Sequence, residues 1–286
     1  MSSAPAIRVR GLTKSYGTLR AIDGIDLDVA RGEIFALLGP NGAGKTSTVE
    51  ILEGFRGRDG GEVEVLGEDP RRASAAWRAR IGIVLQGNGE FEELTVAEVV
   101  GHFAHYYAKA DDPEAVIARV GLAGKRDARA KTLSGGQRRR LEVALGIVGR
   151  PELLFLDEPT QGFDPEARRE FWTLVRDLAA TGTTVLLTTH YLDEAEALAA
   201  RVAVIARGRV LEVSPPARLA GRDRRPAIVR WHGPSGPERA ETDQPTRLVG
   251  ELAQRFGGEV PGLSVGRPTL EDVYLEMIDG ERGGAR

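Results

Sequence analysis

The sequence predicts an α/β fold: a mainly parallel core sheet, an antiparallel β subdomain at the N-terminus, a helical subdomain, and a small α+β module at the C-terminus. Three observations carry this. Apolar runs at 33–38, 81–85, 153–156 and 184–189 alternate with stretches of helical periodicity, as parallel strands buried on both faces do. The first strands instead alternate apolar and polar residues, the mark of half-exposed antiparallel pairing. Between the strand at 33–38 and a helix at 46–54 stands Gly39-Pro40-Asn41-Gly42-Ala43-Gly44-Lys45-Thr46, which fits the pattern G-x-x-x-x-G-K-[ST].

That last stretch organises the rest. Its glycines let the backbone curl so that successive N–H groups point inward at an anion, and the following helix adds its partial positive charge. Lys45 is placed to reach the β- and γ-phosphates of a nucleotide, and the Thr46 hydroxyl to ligate Mg²⁺.

Composition sets bounds. The chain has 286 residues, enough for one large or two modest domains. Its 39 Lys and Arg nearly balance 42 Asp and Glu, for a net charge of −3, so it carries no global nucleic-acid footprint. It has no cysteine, which excludes disulfides and cysteine–zinc sites and suits a reducing cytoplasm. The start has no charged segment leading into an apolar one, so it does not read as a secretory signal. No apolar run approaches the roughly 20 residues of a membrane span, so a link to a membrane must run through a partner.

In chain order, 7–10 and 25–29 alternate and read as strands, with 11–17 as a turn. Tyr16, upstream of the phosphate loop, offers a ring on which a base can stack, although a tyrosine in a turn is also ordinary packing. A further alternating strand covers 62–65, and a short helix 73–80. The strand at 81–85 ends at Gln86, where ligands bind in α/β sheets; an amide carbonyl there can ligate Mg²⁺ or hold a water, or simply begin a loop. Residues 96–108, 113–120 and 135–148 read as helices. Thr95 and Glu98 form a capping box for the first, and Gly121 closes the second. His102 and His105 share a helix face, but no carboxylates complete a metal site.

Leu133-Ser134-Gly135-Gly136-Gln137 opens the third helix, with Ser134 as its N-cap and two glycines that bring N–H groups close to whatever lies ahead. The run 138–140 of three arginines hints at an anion or acidic partner. Leu153-Leu154-Phe155-Leu156-Asp157-Glu158 is a buried strand ending in two carboxylates. In a phosphate-loop enzyme Asp157 is placed to hold Mg²⁺ and Glu158 to polarise an attacking water. Asp164 or Pro165 opens a helix with Phe171, Leu174, Val175 and Leu178 inward. His190 ends the strand at 184–189 and can hydrogen-bond a γ-phosphate. Strands at 201–206 and 209–213 close the sheet. Beyond Pro215-Pro216, residues 228–231 and 263–265 read as strands, 248–256 as a helix, and a last helix begins at Pro268-Thr269.

The order of phosphate loop, Gln86, Leu-Ser-Gly-Gly-Gln, Asp157-Glu158 and His190 resembles the ATP-binding-cassette ATPases over roughly residues 7–220. The string 133–137 is its most specific part. The resemblance implies an ATPase domain over 1–220, with a helical subdomain at about 87–150 and an accessory module at 221–286. It implies ATP held by Tyr16 and by Gly39, Pro40, Asn41, Gly42, Ala43, Gly44, Lys45, Thr46 and Ser47. A second subunit, identical or related, would contribute Ser134, Gly135, Gly136 and Gln137 in a head-to-tail dimer. Mg²⁺ would be bound by Thr46, Gln86 and Asp157, with Glu158 as general base, His190 as switch histidine and Asp164 in the dimer-contacting loop. Phe163 departs from the family's usual leucine, and Gly87 from a bulkier or acidic residue; neither lies in the catalytic set.

Glu158-Pro159-Thr160-Gln161-Gly162-Phe163-Asp164-Pro165 and the closing Pro-Thr-Leu-Glu-Asp-Val-Tyr resemble the drug-exporter branch, including daunorubicin-resistance-type ATPases. The implied protein lies at the cytoplasmic face of the membrane. It drives a separate permease, contacted through about 87–105, which binds the small-molecule cargo, and it has no direct nucleic-acid partner. The competing readings are an importer subunit, a soluble cassette acting on ribosomes or DNA, and an unrelated phosphate-loop kinase or NTPase.

Overall fold

In the computed structural model, which describes residues 4–84 and 91–283, the chain opens with an antiparallel hairpin of β1 (Ile7–Tyr16) and β2 (Leu19–Val29). Both strands outrun the reading of 7–10 and 25–29. The pairing register shifts between Val9 and Leu12 and twice more before Ser15, and such bulges break the alternation on which that reading relied. β3 (Ile34–Leu38) is buried throughout and leads to α1 (Lys45–Leu52). β4 (Gly60–Val65) pairs with β1, completing a sheet in the order β2-β1-β4.

α2 (Ala75–Arg78) is one turn capped by Ser74, shorter than the expected 73–80, because Pro70–Arg72 forms a separate 3-10 turn ahead of it. Its Trp77 is buried, with Nε1 donating to the Val65 carbonyl at 2.8 Å. β5 (Ile81–Val84) follows. α3 (Val96–Ala104), α4 (Pro113–Arg119) and α5 (Gly135–Ile147) form the helical segment. α3 ends four residues before the expected 108: the His105 ring bonds the Gly101 carbonyl at 2.6 Å and closes the helix.

β6 (Leu153–Asp157), α6 (Pro165–Ala180), β7 (Thr184–Thr189), α7 (Leu192–Leu198), β8 (Arg201–Ala206) and β9 (Arg209–Ser214) complete the main sheet. Its order is β5-β6-β7-β3-β8-β9, and the pairs from β5 through β8 are parallel. Leu38 stands opposite Thr189, and Asp157 opposite Thr188, so the carboxyl ends of β3, β6 and β7 emerge together. In such sheets that end receives the ligand. Ile7, Leu12 and Ile25 share one core with Phe35, Leu37, Phe155 and Ile205, so both sheets pack as one body.

The unit Met1–Val213 is followed by a second, Ser214–Arg286. The latter holds β10 (Ala227–Gly233), β11 (Gly236–Thr242), α8 (Pro245–Phe256), β12 (Ser264–Gly266) and α9 (Leu270–Gly283). Its antiparallel sheet runs β11-β10-β12, with Val229, Trp231, Leu252 and Val260 as its core. Among the described residues no helix is long and apolar enough to cross a membrane.

Candidate functional site

Two glycines shape the loop between β3 and α1. A Cβ on Gly39 would lie 2.3 Å from the Ile205 carbonyl oxygen. Gly44 has φ +104°, and a Cβ there would lie 2.6 Å from the Ala21 carbonyl oxygen. Neither place admits another residue without backbone movement. The Gly208 amide donates to the Ala43 carbonyl at 3.0 Å, so the β8–β9 turn braces the loop from outside. Asn41 and Gly42 are exposed at its tip, as is Thr46 in the first turn of α1.

Lys45 is 6% exposed, and its Nζ donates to the carbonyls of Gly39 at 2.6 Å and Pro40 at 3.2 Å. Burial holds its pKa down, against the opposing pull of the Glu158 and Asp157 carboxylates. A buried ammonium with only carbonyl partners is a receptor for an anion. The Tyr16 hydroxyl lies 3.0 Å from Ser47 Oγ, and its ring has Arg56 at 5.3 Å and Lys14 at 5.6 Å from the centroid. Tyr16 therefore touches the loop region directly.

At the ends of β6 and β7, the Thr188 hydroxyl donates to Asp157 Oδ1. Glu158 has φ +44°, and its amide donates to both the carbonyl and the hydroxyl oxygen of Thr188 at 3.1 Å. Its Oε1 lies 3.3 Å from His190 Nδ1. Lys45, Asp157, Glu158 and His190 thus gather at one end of the sheet, while Gln86 lies outside the described residues.

Three more residues belong to this neighbourhood, and their places in it were not read from the sequence. Glu53, at the end of α1, is buried; burial, with the nearby Asp157 and Glu50 carboxylates, pushes its carboxyl up to about 8. A glutamate at a helix end gives no sign of this in a linear sequence. Arg139 donates to the carbonyls of Asp157 and Pro159. Glu194, from the unread α7, is fully buried and accepts from Thr160 Oγ1 at 2.8 Å and Trp172 Nε1 at 3.3 Å.

Ser134 and Gln137 form a capping box on α5. No hydrogen bond or ion pair among the described residues joins 134–137 to the phosphate loop. Asp164 caps α6 through the amides of Glu166 and Ala167. Phe163 packs edge-on against Phe171 at 5.8 Å, so the larger ring is accommodated by the core. The arginine run does not act as one anion-facing surface. Helical rotation turns Arg139 inward and sets Arg140 on Glu170 and the Val120 carbonyl, leaving Arg138 exposed. His102 meets the Tyr106 hydroxyl at 3.0 Å rather than His105. A cleft of about 420 Å³ beside Glu152 and Thr183 lies at the opposite ends of β6 and β7, away from the carboxylates.

The donor set suits magnesium. The Thr46 hydroxyl and Asp157 carboxylate are hard oxygen donors, and magnesium takes one or two protein carboxylates with phosphate and water for the rest. Among the described residues no cluster of three or more His, Cys, Asp or Glu offers an all-protein cage.

The sequence model of the ABC transporter family matches residues 22–161. A daunorubicin resistance ATP-binding protein of Streptomyces coeruleorubidus is 39% identical, covering 97% of this chain and 97% of that protein. A Nod factor export ATP-binding protein I of Paraburkholderia xenovorans is 41% identical over 96% of this chain and 98% of its own. Among solved structures, cbiO1 from Clostridium perfringens, part of the ABC transporter complex cbiONQ, is 27% identical with a TM-score of 0.69. It covers 76% of this chain and 91% of its own. An ATP binding subunit of an ABC transporter, 21% identical, shares the fold over 95% of this chain and 99% of its own at a TM-score of 0.70.

Proposed function

This chain belongs to the ABC transporter family as an ATP-binding ATPase subunit, and we propose that it powers an exporter of a drug or another hydrophobic compound. Relatives named for daunorubicin resistance and Nod factor export support that direction. Family members dimerise and work with a membrane permease. For this chain the arrangement is a head-to-tail dimer, identical or mixed, held at the cytoplasmic membrane face by a separate permease that carries the cargo. Residues 1–220 are the cassette and 221–286 an accessory module.

The roles follow from the donors available. Tyr16 stacks on the base. The backbone N–H groups that 39–47 offers, Pro40 having none, and the Lys45 ammonium bind the phosphates, Lys45 giving up its carbonyl partners as it does so. Thr46 and Asp157, with Gln86, would hold Mg²⁺, which would supply neutralisation of the charge that builds up on the phosphates. Glu158 takes a proton from the attacking water. His190 steadies the Glu158 carboxylate and bonds the γ-phosphate. Ser134, Gly135, Gly136 and Gln137 face the partner's nucleotide.

One observation carries this reading most: the Glu158 carboxylate lies within 3.3 Å of His190 at the sheet end that also bears Lys45 and Asp157. Glu158→Gln keeps the shape and removes the base. ATP affinity should hold while phosphate release falls by ~10²–10⁴-fold, a usual general-base contribution. Near-normal turnover in that variant removes Glu158 from its role.

A further inference from the structure

Glu158 adopts φ +44°, in the left-handed region that non-glycine residues rarely occupy. Such a conformation persists only where surrounding contacts over-determine it. On one side the Glu158 amide is held by Thr188. On the other, the contacts come from α5. Arg139 Nη2 donates to the Asp157 carbonyl at 2.6 Å, and Nε of the same guanidinium to the Pro159 carbonyl at 3.2 Å. One planar fork therefore grips the carbonyls of the two residues that flank Glu158.

The guanidinium is built into its place. Arg139 is 7% exposed, and its Nη1 pairs with Glu142 at 2.7 Å, one turn along α5. A buried arginine gives up hydration that these bonds must replace, and its rigid spacing of donors matches two fixed acceptors as a lysine cannot.

We propose that Arg139 is a positioning residue for Glu158, holding the 157–159 backbone so that the carboxylate stays aimed at the reacting water. This rests on the role given to Glu158 above. Arg139 acts through the peptide, by its bonds to the Asp157 and Pro159 carbonyls. It also makes α5, which begins at the Ser134 turn, the element that fixes the chain's own catalytic carboxylate.

The test compares Arg139→Ala and Arg139→Lys with wild type and Glu158→Gln, using the full chain with its permease. Misplacement of a catalytic group by an ångström costs on the order of 100-fold. Arg139→Ala should lose kcat on that scale with KM for ATP unmoved, and millimolar guanidinium should restore part of the loss. Guanidinium should do nothing for Glu158→Gln. Arg139→Lys keeps the buried charge but reaches only one carbonyl, so it should fold and still lose turnover. If the alanine variant does not fold, the lysine variant decides. Full turnover in Arg139→Lys, KM rising in step with falling kcat, or a folded alanine variant that guanidinium does not rescue would overturn the proposal. Normal turnover in Glu158→Gln would instead overturn the base assignment.

Discussion

Glu53 presents an acid in a place that water barely reaches: it is 8% exposed, and Asp157 and Glu50 lie close enough to oppose its charge. The ordinary glutamate value is 4.5, and the folded protein raises it to about 8. Between those values the unfolded chain has released the proton while the folded one retains it, so unfolding is favoured as pH rises. The stability tied to Glu53 is thus intact below about pH 4.5 and is lost as pH climbs through about 8. Each pH unit in that window is worth about 1.4 kcal/mol. Glu53→Gln keeps the shape without the charge. Urea unfolding of the two proteins, without nucleotide or metal, should give similar stabilities at low pH and a gap favouring the glutamine variant that widens toward pH 8. A gap independent of pH would show that the carboxyl does not titrate in this window. Lys45, Asp157 and Glu158 could be singled out as candidates from the sequence because each has a fixed offset within a recognisable pattern. Glu53 and Arg139 matter only through what folding brings against them.

At the scale of elements, the Thr95–Glu98 box shows what local chemistry decides by itself. The Thr95 hydroxyl accepts from the Glu98 amide at 3.2 Å, and Glu98 Oε2 accepts from the Thr95 amide at 2.8 Å. The two residues are three apart in sequence, so the helix start could be read without the fold. Thr95→Ala should cost about 1 kcal/mol in a thermal or urea melt, with ATP turnover of the isolated chain unchanged; an unaltered melt would deny the cap its weight. The capped starts of α3, α5 and α6 and the buried parallel strands were legible because their signals are local. The first hairpin was not, because its bulges reset the side-chain parity between Val9 and Ser15. β11 was missed because Gly236-Pro237-Glu238-Arg239-Ala240-Glu241-Thr242 has little apolar content, and none of its residues is fully buried. Only pairing with β10 makes it a strand. α7 has seven residues and no side-chain cap, so its start carries no signal.

At the scale of the whole molecule, the proposed dimer rests on two sets of polar groups in each chain that are not joined to one another. Lys45 satisfies itself on carbonyls of its own loop. The Ser134 turn makes no polar bond to that loop, and the amides of Gly135 and Gly136 meet no acceptor among the described residues. Free donors at a helix start bind anions, so in the head-to-tail dimer proposed above a triphosphate seated on one chain's loop would give the other chain's α5 its missing partner. With Glu158 as the proposed base, Glu158→Gln would keep its nucleotide unhydrolysed, and it should dimerise with ATP and remain monomeric with ADP, as read by light scattering. Adding Gly136→Asp tests the contact itself. A Cβ there meets nothing nearer than 3.9 Å, and an acid in the first turn favours the helix, so the fold should survive. The same charge repels phosphate, and ATP-dependent dimerisation should disappear while ATP binding to the single chain persists. If the double variant still pairs with ATP, the α5 start is not where the second subunit grips the nucleotide.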